Sequence, residues 1–361
     1  MGNLNRFRRA RTVRPLWLAA LTAAVAAAGA TGIAAQSGTA APAGNAGKAS
    51  YPPRASKFKR PKLKQGVLTI RGTKVSDKIA LRLQAGQPDV LQIDVGDDGS
   101  PEFSFPRGAI TKIVVNVRAG NDAVRIDEGN GAFTDTIPTT IDGGDGNDTI
   151  AGGKGVETLL GGNGNDTIDG NGGNDLALLG AGDDTFVWDP GDGSDTIEGQ
   201  DGTDTMVFNG ANVAEQVQLS ANGSRLKFFR TQGNITMDTA GVERVDFNAL
   251  GGADLVTVND LSGTDVSSVN VDLAGTLGGA TGDSQADRVV VNATNGEDAI
   301  NVNGDAGGVK VSGLAATVKI LHSEAANDRL EINTLAGRDS VDSSGLAAGA
   351  TKLFVDGVLV P

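Results

Sequence analysis

GGDGNDTIA (143–151), GGKGVETLL (152–160), GGNGNDTID (161–169), GNGGNDLAL (170–178) and LGAGDDTFV (179–187) follow one another without a residue gained or lost. Glycine favours the first, second and fourth places, where it permits positive φ and close approach of backbone to backbone, so six residues of each unit can turn with their carbonyls inward. The last three residues make a short strand whose middle side chain faces the interior. Ile150, Leu159, Ile168, Ala177 and Phe186 are therefore expected to stack as an apolar column. A flexible acidic linker would need no apolar residue at every eighth place. After a two-residue insertion containing Pro190, Asp195 falls at an acidic place, and GQDGTDTMV (199–207) restores the register with Asp204 and Met206.

Such a strand pair is weak by itself. Each unit buries one apolar side chain, whereas glycine loses more conformational entropy on folding than any other residue. The acid at the sixth place points to what offsets that cost: a hard cation taking six to eight oxygens, from carboxylates and carbonyls, at roughly 2.3–2.6 Å.

The pattern resembles the hemolysin-type (RTX) calcium-binding proteins, whose unit is Gly-Gly-x-Gly-x-Asp-x-apolar-x on a parallel β-roll. The resemblance implies two units per coil and Ca2+ between the turns of successive coils, so that aspartates eighteen residues apart share sites. Asp148, Asp166 and Asp184 would line one edge, and Glu157, Asp175 and Asp195 the other, with Asp204 extending the series. The turn glycines Gly143, Gly144, Gly146, Gly161, Gly162, Gly164, Gly173 and Gly182 complete the implied metal-binding set. Glu157 is one methylene longer than Asp, Lys154 adds a positive charge, and Asn171 replaces a glycine, so that edge is expected to hold fewer or weaker ions. The resemblance further implies folding on calcium after export, and does not extend to lysis.

A longer repeat surrounds this block: KIVVNVRAGNDAV (112–124), RVDFNALGGADLV (244–256), RVVVNATNGEDAI (288–300) and RLEINTLAGRDSV (329–341) align without gaps. Alternating apolar residues mark strands, and Gly-x-Asp marks the turn between them. The Asn column (Asn116, Asn248, Asn292, Asn333) and the Asp column (Asp122, Asp254, Asp298, Asp339) have two readings: the preferred one is that they satisfy backbone amides in the turns, and the other is additional calcium sites, which one carboxylate per turn disfavours. The fold class is all-β: a parallel β-roll flanked by β-solenoid coils, elongated, each coil adding about 4.8 Å.

Residues 1–43 read as an export signal: Arg6, Arg8, Arg9, Arg11 and Arg14 precede the apolar stretch Leu16 to Ala28. Residues 44–65 read as a basic linker, 66–142 as amino-terminal β-coils, 143–207 as the β-roll and 208–361 as carboxy-terminal repeats. From Gln65 onward there are 44 acidic and 19 basic residues, a net of −25, which argues against nucleic acid as a partner of the folded part. The chain has no cysteine, so disulfides and thiolate chemistry are excluded. The expected partners are calcium ions and an extracellular polysaccharide or cell-envelope surface, with no transmembrane span after signal removal and a secreted location.

No catalytic residue is assigned. His322 stands alone in TVKILH and reads as a surface residue; neither His-Glu-x-x-His nor Gly-x-Ser-x-Gly occurs. The alternative is a calcium-dependent polysaccharide lyase or epimerase on a β-helix. It would need clustered cations beside an acidic groove, for which Arg225, Lys227 and Arg230 are the nearest candidates, although they read first as a solvated strand face.

Overall fold

The computed structural model describes residues 58–361; the expected signal and most of the basic stretch lie outside the described residues. Strand Lys62–Lys64 occupies the last residues of the segment read as a linker, and Phe58 is buried with its ring stacked on that of Phe103.

The nine-residue period becomes strand, turn, strand, turn. Thr139–Asp145, Glu157–Asn163, Leu176–Ala181 and Thr196–Asp201 stack in parallel in one sheet (sheet 1), and Thr149–Ala151, Thr167–Asp169, Thr185–Trp188 and Thr205–Asn209 stack in a second (sheet 2). Consecutive units thus belong to opposite sheets. The apolar column consequently divides into Ile141, Leu159, Ala177 and Ile197 facing Ile150, Ile168, Phe186 and Met206, all at most 1% exposed.

The coils continue on both sides in the same two sheets, of 15 and 14 strands. The copies at 112–124, 288–300 and 329–341 each cross from sheet 1 to sheet 2, whereas that at 244–256 crosses from sheet 2 to sheet 1. The motif serves either crossing because both edges use the same Asp turn.

Period-two alternation does not distinguish parallel from antiparallel neighbours, and two of the insertions are antiparallel. Gln216–Asn222, Arg225–Arg230 and Ile235–Ala240 form a meander in sheet 1. Ala299–Asp305, Gly308–Ser312 and Thr317–Leu321 form its counterpart in sheet 2. In each meander the third strand pairs in parallel with the preceding coil and the first with the following one. Each sheet therefore gains two strands, and the coils return to step.

Large side chains fill the core at the first meander. Trp188 stacks on Phe208 with ring centroids 3.9 Å apart, and Phe228 and Phe247 close the group. Burial of such rings contributes more per residue than the single aliphatic groups of the glycine-rich block.

Candidate metal sites along the two edges

The acids of the repeats form ladders. On the edge where the chain passes from sheet 1 to sheet 2, the Asp148 N–H donates to Asp166 Oδ1 (2.7 Å), that of Asp166 to Asp184 Oδ1 (2.6 Å) and that of Asp184 to Asp204 Oδ1 (2.9 Å). The ladder extends beyond the nonapeptides, through Asp122 onto Asp148 Oδ1 and through Asp204 onto Glu243 Oε2. On the opposite edge, Glu157 donates to Asp175 Oδ1 (2.7 Å) and Asp175 to Asp195 Oδ1 (2.8 Å). One oxygen of each aspartate thus binds the preceding coil.

The other oxygen has no hydrogen-bond partner among the described residues. This holds for Oδ2 of Asp148, Asp166, Asp175, Asp184, Asp195 and Asp204, and for Oε1 of Glu157, all buried. Carbonyls converge on the same gaps. A Cβ at Gly162 or Gly164 would overlap the carbonyl oxygen of Gly144 or Gly146, so these carbonyls point onto the next coil. A Cβ at Gly143 would lie 2.5 Å from both Asp148 Oδ2 and Gly161 O, so the first-place carbonyl points back, and a carboxylate oxygen meets it there. Gly161, Gly173 and Gly182 are crowded in the same way by Leu179, Gly155 and Gly164 carbonyls. Only a residue without Cβ leaves these oxygens their room.

Burial without a counter-charge shifts the acids. It pushes Asp148 up to about 6, and Asp166, Asp195 and Asp204 to about 7. Asp175 rises to about 9, by burial first and then by the neighbouring Glu157 and Asp195 carboxylates. Acids elsewhere in the core are treated differently: Asp94 is paired with Arg82 (2.5 Å) and Glu215 with Arg230 (2.5 Å). Among the described residues no group of three His, Cys, Asp or Glu side chains is arranged to hold a metal alone. Paired turns with bare carboxylate oxygens and inward carbonyls nevertheless fit a hard cation, whose shell accepts both ligand types.

The irregular units differ in detail. Asn171 adopts φ 54 and Gly173 φ 126, so Asn, which tolerates the left-handed region, preserves the turn around Asp175. The Glu157 turn is altered: its extra methylene lets Oε2 accept the N–H of Gly153 in its own turn (2.7 Å). The adjoining Lys154 and Gly155 N–H groups donate to Thr134 Oγ1, at 3.0 Å each. Past Asp195 this edge is interrupted by the meander, where Thr236 N–H donates to Ser194 Oγ instead.

In the longer repeat the aspartates do bind amides, Glu215 N–H donating to Asp254 Oδ1 (2.7 Å) and Asp298 N–H to Asp339 Oδ1 (2.9 Å). The asparagines do not follow the expectation. Asn333 donates to Asn292 Oδ1 (2.8 Å) and Asn292 to Asn259 Oδ1 (2.9 Å) along sheet 1, Asn248 donates to Asn209 Oδ1 (2.7 Å) along sheet 2, and Asn116 donates to the Asp142 carboxylate. In-register pairing sets Asn248 beside Asn209 and Asn333 beside Asn292. The cationic trio is also dispersed. Arg225 pairs with Glu198 and Asp238, Lys227 lies over the Phe229 ring, and Arg230 is buried rather than solvated. His322 is half-buried, its Nδ1 2.6 Å from Asp272 Oδ1.

Sequence reasoning missed Asp192, which burial and the nearby Asp169 push up to about 8, and the Glu128–Thr134 loop. Both lie in irregular spacers, where no period draws attention to them.

No curated protein matches the chain. The RTX calcium-binding nonapeptide repeat matches, in four copies, at residues 140–156, 152–186 and 191–212. Among the described residues no helix is long and apolar enough to cross a membrane. The two-sheet coil, the carboxylate ladders and this match coincide over one stretch: residues 140–212 are an RTX calcium-binding nonapeptide-repeat block, built as a parallel β-roll.

Proposed function

We propose that the protein is a secreted calcium-binding β-solenoid whose turns bind Ca2+ and fold on binding outside the cell, in a structural or adhesive role. The carrying observation is the row of buried carboxylate oxygens with neither a proton donor nor a basic side chain to meet them. Asp148, Asp166, Asp184 and Asp204 on one edge and Asp175 and Asp195 on the other supply the charged ligands, Glu157 a weaker one, and the turn carbonyls the rest. Extracellular calcium-binding modules work at about 10⁻⁴–10⁻³ M, and a cysteine-free exported chain draws on the ion for the stability that disulfides would give.

The partner in this reading is an anionic envelope polymer or extracellular polysaccharide. Its support is a concave face at the amino-terminal end of the described residues, lined by Lys59, Arg60, Lys62, Lys64, Arg71, Lys74 and Arg118 with no acid among them. Far-ultraviolet circular dichroism of the full chain with thermal melting, in chelator and across calcium into the millimolar range, tests the core of the proposal. A gain of β signal and a higher melting temperature are expected. A fully formed β-fold indifferent to calcium would overturn it.

One observation favours a calcium-dependent lyase or epimerase instead. On the outer face of sheet 2, Arg244 and Lys319 stand beside Asp246, Asp272 and Asn270 in a depression of about 380 Å³. Formation of unsaturated uronate ends or epimerised residues from an acidic polysaccharide, lost in Lys319→Ala, would establish that reading.

A further inference from the structure

The concave face at the amino-terminal end holds cations with no acid to neutralise them. All seven of its basic side chains are exposed, and none forms an ion pair among the described residues. The preceding chain has no acidic side chain to offer them, because no Asp or Glu occurs before Asp77. Arg60 lies over the Phe103 and Phe105 rings, which orient its guanidinium without cancelling its charge. In sheet 2 the chain does pair its arginines, Arg82 with Asp94 and Arg125 with Asp97.

Strand register builds the face. Leu68 and Ile70 point into the core, so Val67, Thr69 and Arg71 point outward, and antiparallel pairing sets Lys64 beside Val67 and Lys62 beside Thr69. Lys62 and Lys64, alternate residues of one strand, stand about 6.6 Å apart along it. The turn after Arg71 adds Lys74, and the turn of the next coil adds Arg118. Arg118 is held there against its own conformational preference. It takes φ 86 at the place that Gly144 (φ 98), Gly162 (φ 116) and Gly180 (φ 120) fill in the three following coils. Its carbonyl accepts the Asp145 N–H (2.8 Å), a contact that glycine would make equally well, so the coil has no use for the side chain. Such left-handed residues gather where a ligand is clamped.

We propose that this face binds a polyol-phosphate polymer, a linear chain with one phosphodiester per repeat and no bases, and that Arg118 anchors it. The inference rests on the reading of this face as the partner site and narrows it. A depression of about 730 Å³ admits a polymer segment and does not match a flat bilayer surface. Successive phosphates of an extended phosphodiester chain lie on the scale of the Lys62–Lys64 spacing, so neighbouring phosphates meet neighbouring ammonium groups. In an extended uronate chain the carboxylates alternate between the two sides, and half of them would face away. Lysine meets a phosphate oxygen as a point charge, and the Arg118 guanidinium can hold two oxygens of one phosphate. No aromatic side chain lines the face, so a single-stranded nucleic acid would find no platform for its bases.

Titration calorimetry of the full chain at saturating calcium tests this, with short oligomers of glycerol phosphate, galacturonate and deoxythymidylate of equal charge. The glycerol phosphate oligomer is expected to bind tightest, with an affinity that falls steeply as salt rises. Arg118→Gly should weaken that binding about fivefold, the loss of one partly exposed ion pair, and should also raise the melting temperature by relieving the backbone. Arg118→Lys should recover part of the affinity, and Lys227→Gln, outside the face, should leave it unchanged. Unchanged affinity in Arg118→Gly, or equal or tighter binding of either other oligomer, would overturn the proposal. A preference for galacturonate would leave the broader partner reading standing, whereas no binding of any of the three would remove both. The calcium response in circular dichroism is independent of either outcome, since no residue of the face lies in the block at 140–212.

Discussion

Arg230 and Glu215 form an ion pair in the core, Nε 2.5 Å from Oε1, where the carboxylate ladder restarts beyond the first meander. The guanidinium also lies 5.4 Å from the Trp188 ring centroid. The chain supplies its own cation here, whereas Asp175, Asp195 and Asp254 along the same edge have none. Removing one partner of such a buried pair typically costs about 3–5 kcal/mol. Arg230→Met is therefore expected to destabilise the fold by that order in denaturant unfolding at saturating calcium. Full rescue by added calcium would contradict a purely internal pairing.

Asp166→Ala removes both the acceptor for the Asp148 N–H and a bare oxygen in an uninterrupted ladder. Asp175→Ala does the same beside the altered Glu157 turn. Calorimetric titration should show calcium affinity falling more for Asp166→Ala, by about tenfold or ~1.4 kcal/mol. Equal losses would contradict the difference between the edges.

In chelator, stability should fall as pH rises. Asp148, Asp166 and Asp175 have pKa values of about 6, 7 and 9 in the folded chain, above the ordinary carboxyl value, so the folded state holds protons that the unfolded state releases. The stabilisation is complete below the ordinary value and is lost as pH passes through about 6 to 9. The melting temperature without calcium should thus drop between pH 5 and 8, and calcium affinity should rise over the same interval. A melting temperature in chelator that is flat or rising there would refute the assignment.

Gly162→Ala forces a Cβ onto the Gly144 carbonyl at φ 116, whereas Gly223→Ala at φ 67 meets nothing within 4 Å. Gly223→Ala should cost about 1–2 kcal/mol, the ordinary penalty of the left-handed region, and Gly162→Ala several times as much. Thermal unfolding of the two variants in calcium gives the comparison directly.

Phe186→Ser opens the inner column between Ile168 and Met206. The expected loss is about 3–5 kcal/mol even in excess calcium, because the ion cannot refill the cavity. An unchanged melting temperature would mean the side chain is not in the core.

The nonapeptide block was legible because one period fixes turn, acid and inward residue together. The period alone put all five apolar residues in one column; the eighteen-residue coil that the resemblance implies divides them between two sheets, as the pairing of Ile150 with Ile168 rather than Leu159 shows. Arg230 looked like part of a solvated strand because alternation assigns faces only relative to neighbours, and its burial depends on Glu215 fifteen residues away. Asp283 and Asp287 belonged to no repeat, so only the stacking of their turn under Gly252 and Asp254 gives them a place.

The ladders also have a sense of direction. From Asp122 to Asp204 each amide is received by the carboxylate of the coil that comes later in the chain. An earlier coil is therefore unfinished until its successor arrives, and the later coil acts as the template for the one before it. Zippering that starts at the carboxy-terminal end of the block finds a ready acceptor at every step, whereas growth from the amino-terminal end must always wait for one.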